Sequence, residues 1–176
     1  MTDALHLIDT PEYHDLNTDL AAAVLAIPDE DYARLSHYFH GRYENRYLHP
    51  AALPQLQTII ERARAEAARI LQQPVTELRA GYWLNIMRKG DITTLHSHDD
   101  DDELLSAVYY LQVPDGSGEF RLHERGEIHT IQPVAGRFMF FDPALPHEVA
   151  AHRSDIPRIS IGINIGPAGE VQESGI

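Results

Sequence analysis

The second half of the sequence alternates short β-prone runs with turn signals, and this rhythm constrains the fold more than any other feature. From about residue 77 onward, seven runs are rich in β-branched and aromatic residues, among them "LLSAVYYLQV", "RFMFFD" and "RISIGINI". Turn segments such as "PDGSG", "ERGE" and "RSDIP" separate these runs. Several short strands at this spacing predict a β-sandwich or barrel-like jelly roll.

The sequence before residue 74 predicts helices. "DLNTDLAAAVLAI" ends at Pro28, and "PDEDYARLSHYF" begins there with acids that suit a helix N-terminus. From residue 54 to 73, apolar residues such as Leu56, Ile60 and Ala63 recur at spacings of three and four, with charged residues between them. Pro74 stops this pattern. We therefore expect three helices ahead of the strands.

The fold class that these patterns predict is mainly β with N-terminal α-helices, as a double-stranded β-helix (jelly roll). A chain of 176 residues is most simply one domain and is long enough to bury its own core. The expected parts of a single domain 1–176 are a helical N-terminal layer (1–74), a jelly-roll core (75–166) and a frayed tail (167–176).

Composition excludes several classes of protein. Without cysteine, the chain has no disulfide, thiolate zinc site or cysteine nucleophile, which fits a reducing compartment. Its net charge of −13 repels phosphate backbones, so we expect no nucleic-acid partner. The sequence has no run of 18 apolar residues and its start does not resemble a signal peptide, so we expect a cytoplasmic protein without a membrane partner.

The 11 histidines exceed the three or four that a usage of roughly 2% would give, so metal chemistry is worth testing. In "LHSHDDDDE", His96 and His98 point to the same side if the chain is extended. Imidazole nitrogens that bind one ion must converge at about 2.0–2.2 Å from it. His147 begins a later predicted strand, and a jelly roll can bring such distant strands together. His152 is a reserve candidate for a supporting role behind the ligands.

The spacing around this stretch resembles the first cupin motif, in which Gly90, His96, His98 and Glu103 take the conserved positions of the motif. That resemblance would make Glu103 a fourth metal ligand. The glycine that the motif expects next is replaced by Tyr110. The second cupin motif matches only in part.

Residues 82–166 are more similar to the core of the iron(II)- and 2-oxoglutarate-dependent oxygenases, especially a small bacterial branch with an H-x-H opening. The segments that carry this resemblance are "WLNIMRKGDITTLHSH", "LLSAVYYLQVPDGSGEFRLH", "PVAGRFMFFDPALPHEV" and "DIPRISIGINI". In such enzymes, the arginine that stands where Arg158 does holds the far carboxylate of 2-oxoglutarate. A guanidinium suits that task because its paired donors match a carboxylate.

The residues around Arg158 point independently to a cavity. Four isoleucines, from Ile159 to Ile165, alternate with Arg158, Ser160, Gly162 and Asn164. One face of this predicted strand is therefore aliphatic, and the other is small or polar, as expected beside a cavity. Because a cupin gives no special reason for this arginine, the oxygenase is the better interpretation. Tyr82, Asn85 and Tyr109 are further candidates for pocket lining.

The oxygenase family usually binds iron through two histidines and one carboxylate, commonly spelled H-x-D. Here His98 stands in place of the aspartate, so three ligand sets remain open. We favour His96, His98 and His147. The alternatives are His98, Asp100 and His147, or a set that Glu103 joins as in a cupin.

The resemblance implies Fe(II) as cofactor, 2-oxoglutarate as co-substrate and O2, with no catalytic residue beyond the metal centre. It also implies oxidation of a C–H bond in a small-molecule or peptide substrate, with release of succinate and CO2. The acidic stretch Asp99–Asp102 favours a cationic substrate, and apolar helical surface could support a homodimer. The alternatives are a cupin-type dioxygenase or isomerase without 2-oxoglutarate, and a non-catalytic metal-binding jelly roll.

Overall fold

The computed structural model describes residues 5–98 and 102–169. Within these ranges the chain forms two α-helices and eleven β-strands. The helices are α1 (His14–Leu25) and α2 (Leu56–Leu71). The strands are β1 (Leu5–Asp9), β2 (Arg34–Phe39), β3 (Arg42–Tyr47), β4 (Leu78–Met87), β5 (Thr93–His96), β6 (Leu105–Gln112), β7 (Phe120–Glu124), β8 (Glu127–Ile131), β9 (Arg137–Phe141), β10 (His147–Val149) and β11 (Arg158–Pro167).

Two antiparallel sheets build the expected jelly roll. The large sheet has the strand order β1-β9-β6-β11-β4-β3-β2, and the small sheet has the order β5-β10-β7-β8. Residues of both sheets, including Met87, Met139, Phe120 and Leu122, form one apolar cluster, so the two sheets face each other. On the other face of the large sheet, α1 packs against β6 and α2 against β4 and β11. The predicted mainly β fold with N-terminal helices is confirmed.

Strand β11 runs through the middle of the large sheet and separates the two cores. Ile159, Ile161 and Ile163 are fully buried in the cluster that also contains the helices. Arg158 and Ser160 alternate with them and point toward the small sheet, where both line a cavity. The period-two pattern of the sequence therefore predicted the orientation of this strand correctly.

The helix predicted for "PDEDYARLSHYF" is wrong. Asp29–Asp31 form a single 3-10 turn, and Arg34–Phe39 are strand β2. β2 pairs with β3 through a two-residue turn in which His40 and Gly41 have φ values of 51° and 80°. Two positive φ angles match the right-handed twist of a β-hairpin. Because β3 also pairs with β4, the supposedly helical layer supplies strands to the large sheet.

The apolar face of α2 lies inside the molecule, since Leu56, Ile59 and Ala63 are completely buried against the large sheet. The helical surface on which the homodimer expectation depended is therefore already covered, and the dimer stays a prediction without that support. The single-domain organisation also stays a prediction. Most of the expected tail lies outside the described residues.

None of the helices within residues 5–98 and 102–169 combines the length and the apolar character needed to cross a membrane.

Candidate metal and co-substrate site

His96, His98 and His147, here called the histidine triad, come together at one edge of the small sheet. His96 ends β5 and is paired in register with His147, the first residue of β10. His98 follows two residues later, and its backbone N–H donates to the carbonyl of Pro143 at 3.0 Å. One nitrogen from each of the three imidazoles lies within 4.8 Å of the others. The structure thus gathers all three predicted ligands, although their binding of a metal stays a prediction.

Each imidazole of the triad has an acceptor at its Nδ1 atom. His96 Nδ1 lies 2.8 Å from the Thr94 carbonyl, and His147 Nδ1 lies 2.9 Å from the Leu145 carbonyl. His98 Nδ1 lies 3.2 Å from the carboxylate of Glu103. An acceptor at Nδ1 holds the proton there and leaves the lone pair on Nε2. The triad is therefore set in the tautomer that allows Nε2 to bind a metal.

Burial keeps two of these imidazoles neutral at physiological pH. Desolvation lowers the pKa of His147 to about 3, and repulsion from His96 and His98 adds to this effect. The pKa of His96 is also lowered, first by desolvation, although part of its side chain is open to solvent. Neutral imidazole is the form that binds metals, and three imidazoles suit iron, zinc, copper or nickel. The donor set therefore fits a divalent transition-metal ion.

The two carboxylate alternatives have different outcomes. Asp100 lies outside the described residues, so its candidacy as a ligand stays a prediction. Glu103 is described, and its carboxylate contacts His98 Nδ1. It does not join the nitrogens of the triad that converge on one point. Among the described residues, the histidine triad is the group whose ligand atoms converge. The geometry therefore does not favour the cupin-type ligand set.

Arg158 is buried in the same cavity and has no anionic partner among the described residues. Its Nη1 donates to the carbonyl of Gly118 at 3.0 Å, while its Nε is buried without a hydrogen-bond partner. Its guanidinium lies 5.3 Å from the ring centroid of Tyr110, whose hydroxyl is also buried without a partner. A buried charge is costly unless it is paired. The cavity therefore presents a cation to an anionic ligand.

Together the triad and Arg158 line an inner cavity of about 80 Å³ that opens to solvent. Its remaining walls combine apolar and small polar side chains. They include Phe120, Phe141, Val108, Val149, Asn85, Thr93, Ser106, Ser160, Trp83 and Glu44. Such a mixture of apolar walls and a few polar groups is typical of small-molecule sites.

An outer groove adjoins this cavity along the β2–β3 hairpin. It shares Glu44, Trp83, His96 and His98 with the inner cavity and extends to Phe39 and Tyr47. The indole of Trp83 crosses β11 at Gly162, where a Cβ atom would lie 2.4 Å from the indole ring. The absence of a side chain at Gly162 therefore allows Trp83 to form a wall between the two spaces.

Two of the three expected pocket-lining residues point elsewhere. Asn85 lines the inner cavity, as expected. Tyr109 faces the helices instead, and its hydroxyl donates to Asn17 Oδ1 at 2.9 Å. Tyr82 packs against the same helical core. The reason is the alternation of strands β4 and β6, which sends Tyr82 and Tyr109 to the opposite face from Asn85 and Tyr110.

Some residues near the site were missed in the sequence, and one reserve candidate lies outside it. Trp83 could have been found by applying the same alternation to β4, because it lies two residues from Asn85. Tyr110 could not, because the sequence does not show which face of β6 looks toward the cavity. Glu44 could not, because its segment was not recognised as a strand. His152, the reserve candidate, is buried, and its Nε2 donates to the Ile156 carbonyl at 2.8 Å, but it does not line the inner cavity.

Several solved structures resemble the chain. A Pseudomonas putida prolyl-4-hydroxylase is 22% identical, with a TM-score of 0.73, and the match covers 96% of this chain and 95% of that one. A Trichoplax adhaerens prolyl hydroxylase in complex with a hypoxia-inducible-factor peptide is 16% identical, with a TM-score of 0.67 and coverages of 94% and 84%. The epimerase SnoN, in complex with Fe3+, α-ketoglutarate and a nogalamycin compound, is 15% identical, with a TM-score of 0.71 and coverages of 99% and 88%.

At these identities, the likeness to solved structures shows the fold alone. No curated protein matches the chain. The family model of the 2OG-Fe(II) oxygenase superfamily matches residues 82–166, the segment that contains the histidine triad and Arg158. Over residues 82–166, the chain therefore belongs to the 2OG-Fe(II) oxygenase superfamily.

Proposed function

We propose that the protein is a non-haem iron(II)- and 2-oxoglutarate-dependent dioxygenase that hydroxylates a C–H bond of its substrate. In that reaction the substrate, O2 and 2-oxoglutarate yield an alcohol, succinate and CO2. One observation carries the proposal: a three-histidine group and a buried arginine without an anionic partner among the described residues line the same cavity. The family match supports the same activity and the same cofactors.

The anionic end of the co-substrate would bind at Arg158. Its buried Nε is free to donate, and the nearby Tyr110 hydroxyl offers a second donor to the same carboxylate. Charge-assisted hydrogen bonds of this kind are roughly twice as strong as neutral ones. Because Arg158 is fixed by Gly118, the bound dicarboxylate would be held at one end while its 2-oxo acid end reaches the triad.

The histidine triad would hold iron(II) through Nε2, and the iron would supply open positions for the 2-oxo acid and for O2. The neighbouring side chains have a separate task. Phe120 and Phe141 pack around His147, with ring centroids 5.4 and 4.8 Å away. These apolar rings exclude water from one side of the triad, which protects the reaction from solvent.

The function can be tested with the wild-type protein under anaerobic conditions. Adding 2-oxoglutarate to the iron(II)-loaded protein should produce a weak visible charge-transfer absorption, because the 2-oxo acid chelates the metal. On admission of air, succinate should form slowly even without substrate. Binding of metal without any response to 2-oxoglutarate would favour a cupin-type enzyme. Binding of 2-oxoglutarate without succinate formation would favour a non-catalytic binding protein.

The outer groove is the proposed binding site for a cationic substrate, either a small amine or a basic peptide side chain. Among the described residues, its lining contains several aromatic rings, no lysine or arginine, and the carboxylate of Glu44, which Arg42 contacts from outside the groove at 3.3 Å. Aromatic faces and a carboxylate both attract an ammonium group. The acidic stretch Asp99–Asp102 adds no support among the described residues. Asp99–Asp101 lie outside the described residues, and Asp102 forms an ion pair with Arg79.

Replacing Glu44 with glutamine should weaken the binding of amine substrates about tenfold, because one charge-assisted hydrogen bond is lost. The measurement is substrate-stimulated succinate release with lysine, a lysine-bearing peptide and their N-acetylated counterparts. The acetylated compounds should be affected little. Asp155→Asn is the control, because Asp155 pairs with Lys89 at the surface and lines neither space. If Glu44→Gln preferred amines over acetylated compounds as strongly as the wild type does, Glu44 would have no role in binding the amine.

A further inference from the structure

We propose that Glu103 is a positioning residue that supplies, through His98, the negative charge that a three-histidine iron site lacks. The inference depends on the metal site of the proposed function and extends it to a residue outside the ligand set. In the usual iron site of this superfamily, one ligand is a carboxylate, which places an anion directly on the metal. Three neutral imidazoles provide none. Glu103 would restore that anion one imidazole away from the metal.

The side chain of Glu103 is buried and held in place by hydrogen bonds to two neighbouring side chains. Its side chain is only 2% exposed, and both of its oxygens lie within 3.3 Å of His98 Nδ1. The hydroxyl of Ser106, on β6, donates to Glu103 Oε1 at 2.5 Å and also lies 3.2 Å from His98 Nδ1. Ser106 thus fixes the carboxylate, and the carboxylate fixes the ring of His98.

His98 differs in this respect from the other two members of the triad. The Nδ1 acceptors of His96 and His147 are backbone carbonyls, which are neutral. Among the described residues, His98 is the triad member that contacts a carboxylate. An ionised acceptor raises the basicity of the imidazole more than a carbonyl does, so His98 becomes the strongest donor of the three.

Charge balance across the cavity supports the same assignment. Within the described ion pairs, neither Glu103 nor Arg158 has a partner of fixed opposite charge, although both are buried. Buried charges need compensation. A divalent metal together with the dicarboxylate 2-oxoglutarate would add no net charge. The negative charge of Glu103 would then lie near the positive metal, and the positive charge of Arg158 would lie near the negative dicarboxylate, so each buried charge would be compensated.

The test compares Glu103→Gln with the wild type by titrating Co(II) into the metal-free protein. Loss of a carboxylate behind a histidine ligand typically weakens metal binding 10- to 100-fold, and we expect that range here. Glu124→Gln is a matched control, because Glu124 contacts His129 Nε2 at 3.5 Å and does not line the inner cavity. This control should bind Co(II) as the wild type does.

A second variant keeps the test decisive if Glu103→Gln does not fold. Ser106→Ala removes only the hydroxyl that fixes the carboxylate, so Co(II) binding should weaken by about 2- to 10-fold, the worth of one hydrogen bond. Unchanged Co(II) affinity in both variants would overturn the proposal. A marked rise in the intensity of the Co(II) visible bands in Glu103→Gln would also overturn it, because lower coordination would make Glu103 itself a ligand.

An electronic readout separates this role from simple structural support. In the anaerobic iron(II) protein with 2-oxoglutarate, loss of the Glu103 charge should make the iron harder to oxidise. The charge-transfer band of Glu103→Gln should therefore move to shorter wavelength, whereas a purely structural role would weaken the band without moving it and would overturn the proposal. If the wild type binds neither metal nor 2-oxoglutarate, the proposed function itself fails. If the wild type binds both and the variants match it, only the role of Glu103 fails.

Discussion

Replacing Arg158 with methionine should abolish 2-oxoglutarate binding at concentrations that saturate the wild type, while the protein without 2-oxoglutarate stays folded. Removing one partner of a buried, hydrogen-bonded charge pair costs about 2–5 kcal/mol, which is roughly a 30- to 4,000-fold loss of affinity. The stability of the protein without the co-substrate should not fall. It should rise by on the order of 1 kcal/mol, because an unpaired buried charge is replaced by an apolar side chain of similar length.

Differential scanning calorimetry with and without 2-oxoglutarate measures both effects. The wild type should gain about 2.7 kcal/mol at a hundredfold excess over Kd, and Arg158→Met should gain nothing. Arg42→Met is the informative comparison. Arg42 is less deeply buried than Arg158, with 9% of its side chain exposed, but it is paired with Glu44 and hydrogen-bonded to Asn85. Its loss therefore leaves a buried carboxylate without its cation. It should cost about 3–5 kcal/mol of stability. A similar loss for Arg158→Met, with 2-oxoglutarate binding retained, would contradict the assignment.

Replacing His96 with alanine should weaken metal binding at least about 100-fold with little loss of stability. Structural metal sites of four ligands contribute about 10–16 kcal/mol, so one ligand is worth roughly 3 kcal/mol. His96 is partly exposed at the end of β5, so its removal leaves no large internal cavity. Isothermal titration calorimetry with Co(II) gives the affinity, and thermal unfolding gives the stability.

His147→Ala and His129→Ala complete this experiment. His147 is 5% exposed and packs between aromatic rings, so its truncation should reduce both metal affinity and stability. His129, on β8, lies outside the triad, and its truncation should change neither quantity much. If His129→Ala weakened metal binding as strongly as His96→Ala does, the triad would not be the metal site.

The orientation of Arg158 could be predicted from strand alternation, and the three converging histidines from the H-x-H spacing, the later His147 and the resemblance to the oxygenase family. His96 and His98 are two residues apart, and Arg158 alternates with isoleucines along a long strand. The two-residue alternation of side chains holds in any fold that buries one face of a strand. It sets which side chains share a face before the partners of that face are known.

Tyr109 and strand β2 were predicted incorrectly, each for a different reason. Tyr109 and Tyr110 are adjacent aromatic residues, and the sequence does not say which face of β6 looks toward the cavity. The packing of α1 decides, because Asn17 accepts the Tyr109 hydroxyl. The sequence predicts a helix over β2 because the acids Asp29–Asp31 that precede it suit a helix N-terminus. Pairing with β3 and the positive φ angles of His40 and Gly41 outweigh that local preference.

By itself, the sequence determined the fold class, the three histidines and the buried arginine. Periodicity and spacing are local properties of the sequence, and they can be seen without knowing which segments pack against each other. Only the tertiary structure decided what surrounds the histidines and the arginine. It placed Glu103 behind His98, Tyr110 beside Arg158, and Glu44 at the junction of the inner cavity and the outer groove. Some of those contacts join segments that are far apart along the chain, and others depend on the direction in which a loop side chain points. The periodicity of the sequence predicts neither kind of contact.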